Sequence, residues 1–190
     1  MADPLANGVF IRRDFLSFQA LAKLLGGLDR LAANWAPSEA LGLLGRGKTS
    51  QIRPADIAVQ AQMNEIGQAL APGALVWART CGFRLPAQPQ IQVFPVRMVG
   101  DAETPAYQVP HVDSYAGQPH PPICTNVFYA RTHAIEGGDL LVAKSGSDFS
   151  DPIVVQPTTN TLVCFAGDRV HCIRPLFAGE RLSVVVNFYG

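Results

Sequence analysis

Between residues 91 and 189 eight short runs rich in Val, Ile, Phe and Tyr follow one another, each punctuated by Gly, Pro, Asp or Asn. The runs are 91–98, 106–112, 123–131, 139–144, 152–157, 161–166, 170–176 and 181–189. Runs this short with regular turn signals read as strands of a sandwich, barrel or jelly roll. Eight strands is the usual jelly-roll complement. The pattern therefore predicts a mainly β chain with N-terminal helices: a double-stranded β-helix of about eight strands over residues 89–190.

Residues 1–88 read differently. In "DFLSFQALAKLLGGLDRLAANW" (14–35) apolar residues recur three and four apart, which predicts an amphipathic helix with Asp14 as its cap and Pro37 beyond its end. A second helix is expected over 54–71, with Pro54 in its first turn and Ile57, Met63, Ile66 and Leu70 on its apolar face. No internal repeat or long linker divides the chain, so residues 1–190 read as a single domain: a helical support region at 1–88 and the β-helix after it.

Composition narrows the function. Apolar residues make up 48% of 190, enough to bury a sizeable core. Fifteen basic residues balance fifteen acidic ones, which gives no basic groove for nucleic acid and no charge for an anionic membrane. No apolar run reaches membrane-spanning length and no leader is recognisable at the start. Cys81, Cys124, Cys164 and Cys172 are widely spaced, without a CxxC pair, and read as reduced thiols of a cytoplasmic protein.

"GLLGRGKT" (42–49) fits the phosphate-loop expression G-x-x-x-x-G-K-[ST]. Its setting does not. The preceding "NWAPSEAL" carries Pro37 and no β-branched residue, and Pro54 would break the helix such a loop must open. A flexible basic connector between helices is the expectation. Segments 42–53 and 99–109 are candidate lids, being polar and rich in Gly or Pro.

"PHVDSY" (110–115) places His111 and Asp113 at the same parity of one strand, so both side chains project from one face. His120 and His133 sit in turn-rich surroundings, but His171 opens the seventh strand in "GDRVHCIRPL". In a double-stranded β-helix the second and seventh strands are neighbours at the mouth of the barrel. Two histidines and a carboxylate there would form a facial triad that binds Fe(II) and leaves positions open for chemistry. Arg181 follows ten residues later, with Ser183 on the same face of the last strand. A buried arginine needs an anion, and its planar fork with a nearby hydroxyl suits a carboxylate.

His111-x-Asp113, His171 and Arg181-x-Ser183, with the "EGGDLLVA" turn at 136–143, resemble the Fe(II)/2-oxoglutarate-dependent dioxygenases, in particular their prolyl-hydroxylase-like branch. The resemblance implies a metal site of His111, Asp113 and His171, which would also be the catalytic centre. Fe(II), 2-oxoglutarate and O2 would be its cofactors. It implies that Arg181, Ser183 and Tyr129 hold 2-oxoglutarate, with Thr125, Leu140 and Ile173 lining the same pocket. Asn187 stands where the family often has an aromatic residue, so it is assigned to the substrate side. The implied reaction is hydroxylation of an unactivated C–H bond, with succinate and CO2 as coproducts. A small molecule, such as an amino acid or biosynthetic intermediate, is the expected substrate. A prolyl residue in a protein or peptide is the alternative. Two further readings fit less well. A cupin-like metal enzyme would need a His-x-His pair, and the chain has none. A non-catalytic β-barrel binding module would be expected to lack a ligand or the clamp.

Overall fold

The computed structural model describes residues 3–5, 8–52, 56–114 and 118–190, and of residues 3–5 the backbone alone. Along the chain the elements are β1 (Asp3–Leu5), β2 (Val9–Arg12), α1 (Phe18–Arg30), β3 (Trp35–Pro37), β4 (Gly45–Arg46), β5 (Thr49–Ile52), α2 (Ile57–Thr80), β6 (Gln90–Val99), β7 (Ala106–His111), β8 (Cys124–Gly137), β9 (Leu140–Val142), β10 (Ile153–Val155), β11 (Thr161–Ala166) and β12 (His171–Tyr189). All strand pairings among the described residues are antiparallel.

Two layers form the jelly roll, joined by β12. The larger runs β1-β2-β11-β8-β12-β6-β5-β3; the smaller joins β4, β7, β12, β9 and β10. The first part of β12, from His171, pairs with β7 and β9, and its second part, from Glu180, pairs with β6 and β8. The expected seventh and eighth strands are thus one bent strand. The bend is at register shifts around Ala178, where Gly179 has φ +79° and a Cβ would lie 2.2 Å from the His133 carbonyl oxygen. Only glycine fits there.

Alternation along the larger layer sorts its side chains into two cores. Phe128, Leu182, Val184, Val186 and Phe188 face the helices, where they meet Leu24, Leu28, Leu70, Ala74 and Trp77. Val127, Tyr129 and Val185 face the interior with Val96, Met98, Leu140, Val142, Phe165 and Ile173. Burial on both faces explains why Val184, Val185 and Val186 run on without alternation. Arg181, Ser183 and Asn187 share the interior parity, and all three are buried.

The N-terminal half departs from its expected boundaries. Ser17, not Asp14, caps α1, accepting from the Ala20 N–H at 3.2 Å. Asp14 has φ +49°, unlike the extended backbone of a cap, and the next two amides bond to Asn160. Asp56 caps α2 through the Val59 N–H. The expected start at Pro54 lies outside the described residues. The helix also continues past Pro72 to Thr80, because burial of Ala74, Trp77 and Ala78 outweighs the lost backbone bond. The region is not purely helical either, since it supplies five short strands. "GLLGRGKT" is not a loose connector: its Gly45 and Arg46 pair with β7, and Thr49 opens β5. The Thr49 hydroxyl donates to the Arg46 carbonyl at 2.6 Å, and Lys48 pairs with Asp101 at 2.6 Å. Gly47 turns between them with φ +60°. The phosphate-loop groups are thus spent on a turn between two strands that pair elsewhere, β4 with β7 and β5 with β3 and β6. Strands also take up nearly half of the two candidate lids, 45–46 and 49–52 in one and 99 and 106–109 in the other. No helix among the described residues is long and apolar enough to cross a membrane.

Candidate metal centre

His111 and His171 are directly opposite each other in the β7–β12 register, so two strands of the smaller layer deliver two imidazoles to one place. Their ring centroids are 4.3 Å apart. Asp113, just past the end of β7, completes the group. One ligand atom from each of the three lies within 4.8 Å of the others, and this is the one such group among the described residues. Asp113 Oδ1 is 3.5 Å from His111 Nε2 and 3.7 Å from His171 Nε2.

Backbone carbonyls orient both rings. His111 Nδ1 is 2.8 Å from the Val109 carbonyl oxygen, and His171 Nδ1 is 3.1 Å from that of Arg169. A carbonyl only accepts, so Nδ1 carries the proton and each Nε2 lone pair turns toward Asp113. The second oxygen of Asp113 is held separately. Thr125 Oγ1 and Asn187 Nδ2 both donate to Oδ2 at 3.1 Å. Oδ1 therefore remains for a metal.

Burial disfavours charge on all three groups, and their partners decide the outcome. Burial would lower the His111 pKa, but the interaction with Asp113 and the Val109 carbonyl outweigh it and raise the value. Burial would raise the Asp113 pKa, but both histidines and the Asn187 bond pull it down. At His171 burial prevails over Asp113 and lowers the pKa, which favours the neutral ring that a metal binds.

Arg181 enters the same cavity from the second half of β12. Its side chain is buried, stacks 4.9 Å from the Tyr129 ring centre and donates from Nη1 to the Gly138 carbonyl at 2.9 Å. Gly137 and Gly138 both take positive φ, 81° and 76°, which is what the "EGGD" turn requires. Arg181 Nε and the Tyr129 hydroxyl have no hydrogen-bond partner among the described residues. Burial lowers the Arg181 pKa and raises that of Tyr129, so a cation and a neutral phenol stand together. A buried cation beside unspent donors fits an anionic ligand with several acceptor oxygens.

The cavity, about 350 Å³ counting its mouth, is lined by the three candidate ligands and by Thr125, Leu140, Ile173, Arg181 and Ser183. Tyr129 lies behind Arg181. Ser183 Oγ is 3.5 Å from the Val96 carbonyl oxygen. Thr125 and Asn187, assigned from sequence to cosubstrate and substrate, both have Asp113 as a hydrogen-bond partner. The sequence reading missed Gly138, Phe94 and Gln92. Gln92 Oε1 accepts from Asn187 at 3.3 Å and from the Tyr189 hydroxyl at 3.0 Å. The parity of 92 and 94 on β6 was the available signal, but it could not say which strand they would face.

Residues 98–189, which hold every candidate metal and cosubstrate residue, match the model of the 2OG-Fe(II) oxygenase superfamily. The match spans just under half of the chain and, with the His-Asp-His group, marks it as a 2-oxoglutarate-dependent dioxygenase that uses Fe(II), 2-oxoglutarate and O2. Among solved structures it is similar to a Pseudomonas putida prolyl-4-hydroxylase, at 18% identity and TM-score 0.63, covering 97% of this chain and 93% of that one. It is also similar to a Trichoplax adhaerens prolyl hydroxylase in complex with a hypoxia inducible factor peptide fragment, at 14% identity and TM-score 0.68, covering 97% and 84%. The epimerase SnoN, in complex with Fe3+, alpha ketoglutarate and nogalamycin RO, matches at 14% identity and TM-score 0.67, covering 96% and 79%. These likenesses establish the shared jelly-roll fold. No curated protein matches the sequence.

Proposed function

We propose that the chain hydroxylates an unactivated C–H bond, holding Fe(II) on His111, Asp113 and His171 and the distal carboxylate of 2-oxoglutarate on Arg181. The observation that carries this reading is the single cavity in which three convergent ligand atoms lie near a buried guanidinium with donors to spare. Bound there, iron and 2-oxoglutarate supply the oxidising chemistry, in which O2 is consumed and 2-oxoglutarate becomes succinate and CO2. The protein does the rest. The Val109 and Arg169 carbonyls fix which histidine nitrogen faces the metal. Thr125 and Asn187 hold the carboxylate of Asp113 so that it offers one oxygen. Arg181 and Ser183 set the position of the cosubstrate, and the apolar walls of Val96, Val127, Leu140 and Ile173 limit water around it.

The narrow cavity admits one reactive group at a time, which a small molecule or a residue of a peptide can present equally. Solved structures of similar fold hold both kinds of ligand, one a peptide fragment and another nogalamycin RO. All four cysteines are unbridged, which supports a cytoplasmic location. The test is anaerobic titration of the protein with Fe(II) and 2-oxoglutarate, read by the visible charge-transfer absorption of the chelate, followed by succinate release in air. Protein that develops neither signal with all three cofactors present would sink the proposal.

A further inference from the structure

We propose that the groove between α2 and the first half of β6 is the docking site of an extended, uncharged peptide segment that feeds the metal cavity. It rests on the hydroxylase reading only for the fate of the segment, not for its binding.

Counting its mouth in the same way, the groove holds about 1540 Å³, far more than the metal cavity. One wall is a stripe of α2. Gln60, Asn64 and Gln68 stand four apart and so share one helix face, which continues to Pro72 and Leu75. The other wall is β6 at Ile91, Gln92, Val93 and Phe94. Helix and strand come close at Gly67, where a Cβ would stand in van der Waals contact with Val93 at 3.5 Å. From Gln60 to Leu75 the helix rises about 22 Å. An extended chain covers that length with about seven residues. A single amino acid would occupy a small part of it.

The chemistry of the walls selects the occupant. No described residue lining the groove is charged, so a charged segment would lose hydration without gaining a partner. Four carboxamides line it: Gln60 Nε2 donates to Asn64 Oδ1 at 3.1 Å and Gln92 Oε1 already accepts two bonds, so the Gln68 pair, the Gln60 oxygen and the Asn64 and Gln92 amino groups are what complement a peptide group. Pro72 adds a backbone acceptor on the same stripe, because it has no N–H to give the Gln68 carbonyl. Met63, Leu75 and Ile91 supply apolar contact between these groups, and Ile91 is 44% exposed.

The groove is continuous with the chemistry. Phe94 lines both the groove and the metal cavity. Gln92 accepts from Asn187, which donates to Asp113. Gln92 is thus two hydrogen bonds from a candidate metal ligand, and a segment bonded to Gln92 is three.

The experiment is selection from a displayed library of random heptapeptides against the full chain loaded with Mn(II) and 2-oxoglutarate. Winners are then synthesised with capped ends and their affinities measured. Asn64→Trp blocks the groove and Gln68→Lys places a charge in it. Both positions are exposed, so the fold should survive, which circular dichroism checks. The expected winners are uncharged. They should bind the wild-type chain at least tenfold more tightly than either variant, and tenfold more tightly than capped dipeptides of the same composition. The Fe(II)–2-oxoglutarate absorption should be the same in all three proteins. Failure to enrich any peptide, enrichment of Lys- or Glu-rich ones, or equal affinity for wild type and both variants would overturn the proposal. Peptide binding without the chelate absorption would sink the hydroxylase reading and leave the groove standing. The chelate without peptide binding would do the reverse.

Discussion

Asp113 uses its two oxygens for different tasks, and that division makes its neighbours testable. Oδ1 faces the two Nε2 atoms, while Oδ2 accepts from Thr125 and Asn187. Asn187→Ala frees Oδ2 to swing toward a metal or to take a proton. Metal affinity should fall by about tenfold or more, the usual loss for an outer partner of a ligand. Mn(II) titration by calorimetry reads this directly; unchanged affinity would show that Asn187 does not position Asp113. Arg181 tests the opposite side of the cavity. Lysine keeps the charge but loses the planar fork, so Arg181→Lys should raise the 2-oxoglutarate concentration needed for half-maximal chelate absorption by at least tenfold, with Arg181→Ala worse. Equal requirements in all three proteins would remove Arg181 from the cosubstrate site. The sequence could place His111, Asp113, His171 and Arg181 because strand parity is a local property. It could not reveal that Thr125 and Asn187 share Asp113, because those three residues meet from three separate elements.

Among the elements, β12 carries most of the architecture, and Glu180 sits where its second half begins. The carboxylate bridges Arg97 of β6 at 3.0 Å and Arg131 of β8 at 2.9 Å, and Arg131 also reaches Asp29 of α1 at 3.4 Å. Burial would raise the Glu180 pKa, but the two guanidiniums outweigh it and lower the value. A carboxylate whose folded pKa is depressed stabilises above its unfolded value of about 4.3 and loses that contribution as pH falls through the folded value. Glu180→Gln should therefore cost about 1 kcal/mol at neutral pH. The gap to wild type in urea unfolding should close as the pH drops below about 4. A gap of constant size across pH would mean that the side chain acts by packing and not by charge. The eight apolar runs were legible because strands buried on two faces announce themselves. The short strands β1 to β5 were not, since two to four residues carry too little pattern. The continuation of α2 past Pro72 was hidden by a local rule that tertiary packing overrode.

At the scale of the whole molecule, the candidate metal and cosubstrate residues come from both layers, so ligands bound there would brace the layers against each other. His171 lies on the half of β12 in the smaller layer and Arg181 on the half in the larger, with the Gly179 bend between them. The jelly roll itself was legible in the spacing of turns, but the groove was not, because it forms only when α2 and β6 come together. A ligand that binds only the folded chain stabilises it by about 2.7 kcal/mol at one hundred times its dissociation constant. For a chain of this size that corresponds to about 5–10 °C in Tm. Mn(II) alone should raise Tm by an amount in that range. 2-Oxoglutarate should add to it when metal is present and do much less without it, since in the proposed site the metal would hold one end of it and Arg181 the other. His171→Ala should abolish the metal-dependent rise while the far-ultraviolet circular dichroism of the metal-free protein stays unchanged, because the strand ladder that carries His171 is backbone-bonded on both sides. A full Mn(II) shift in that variant would place the metal elsewhere, and the reading of the two layers as joined through one site would fall with it.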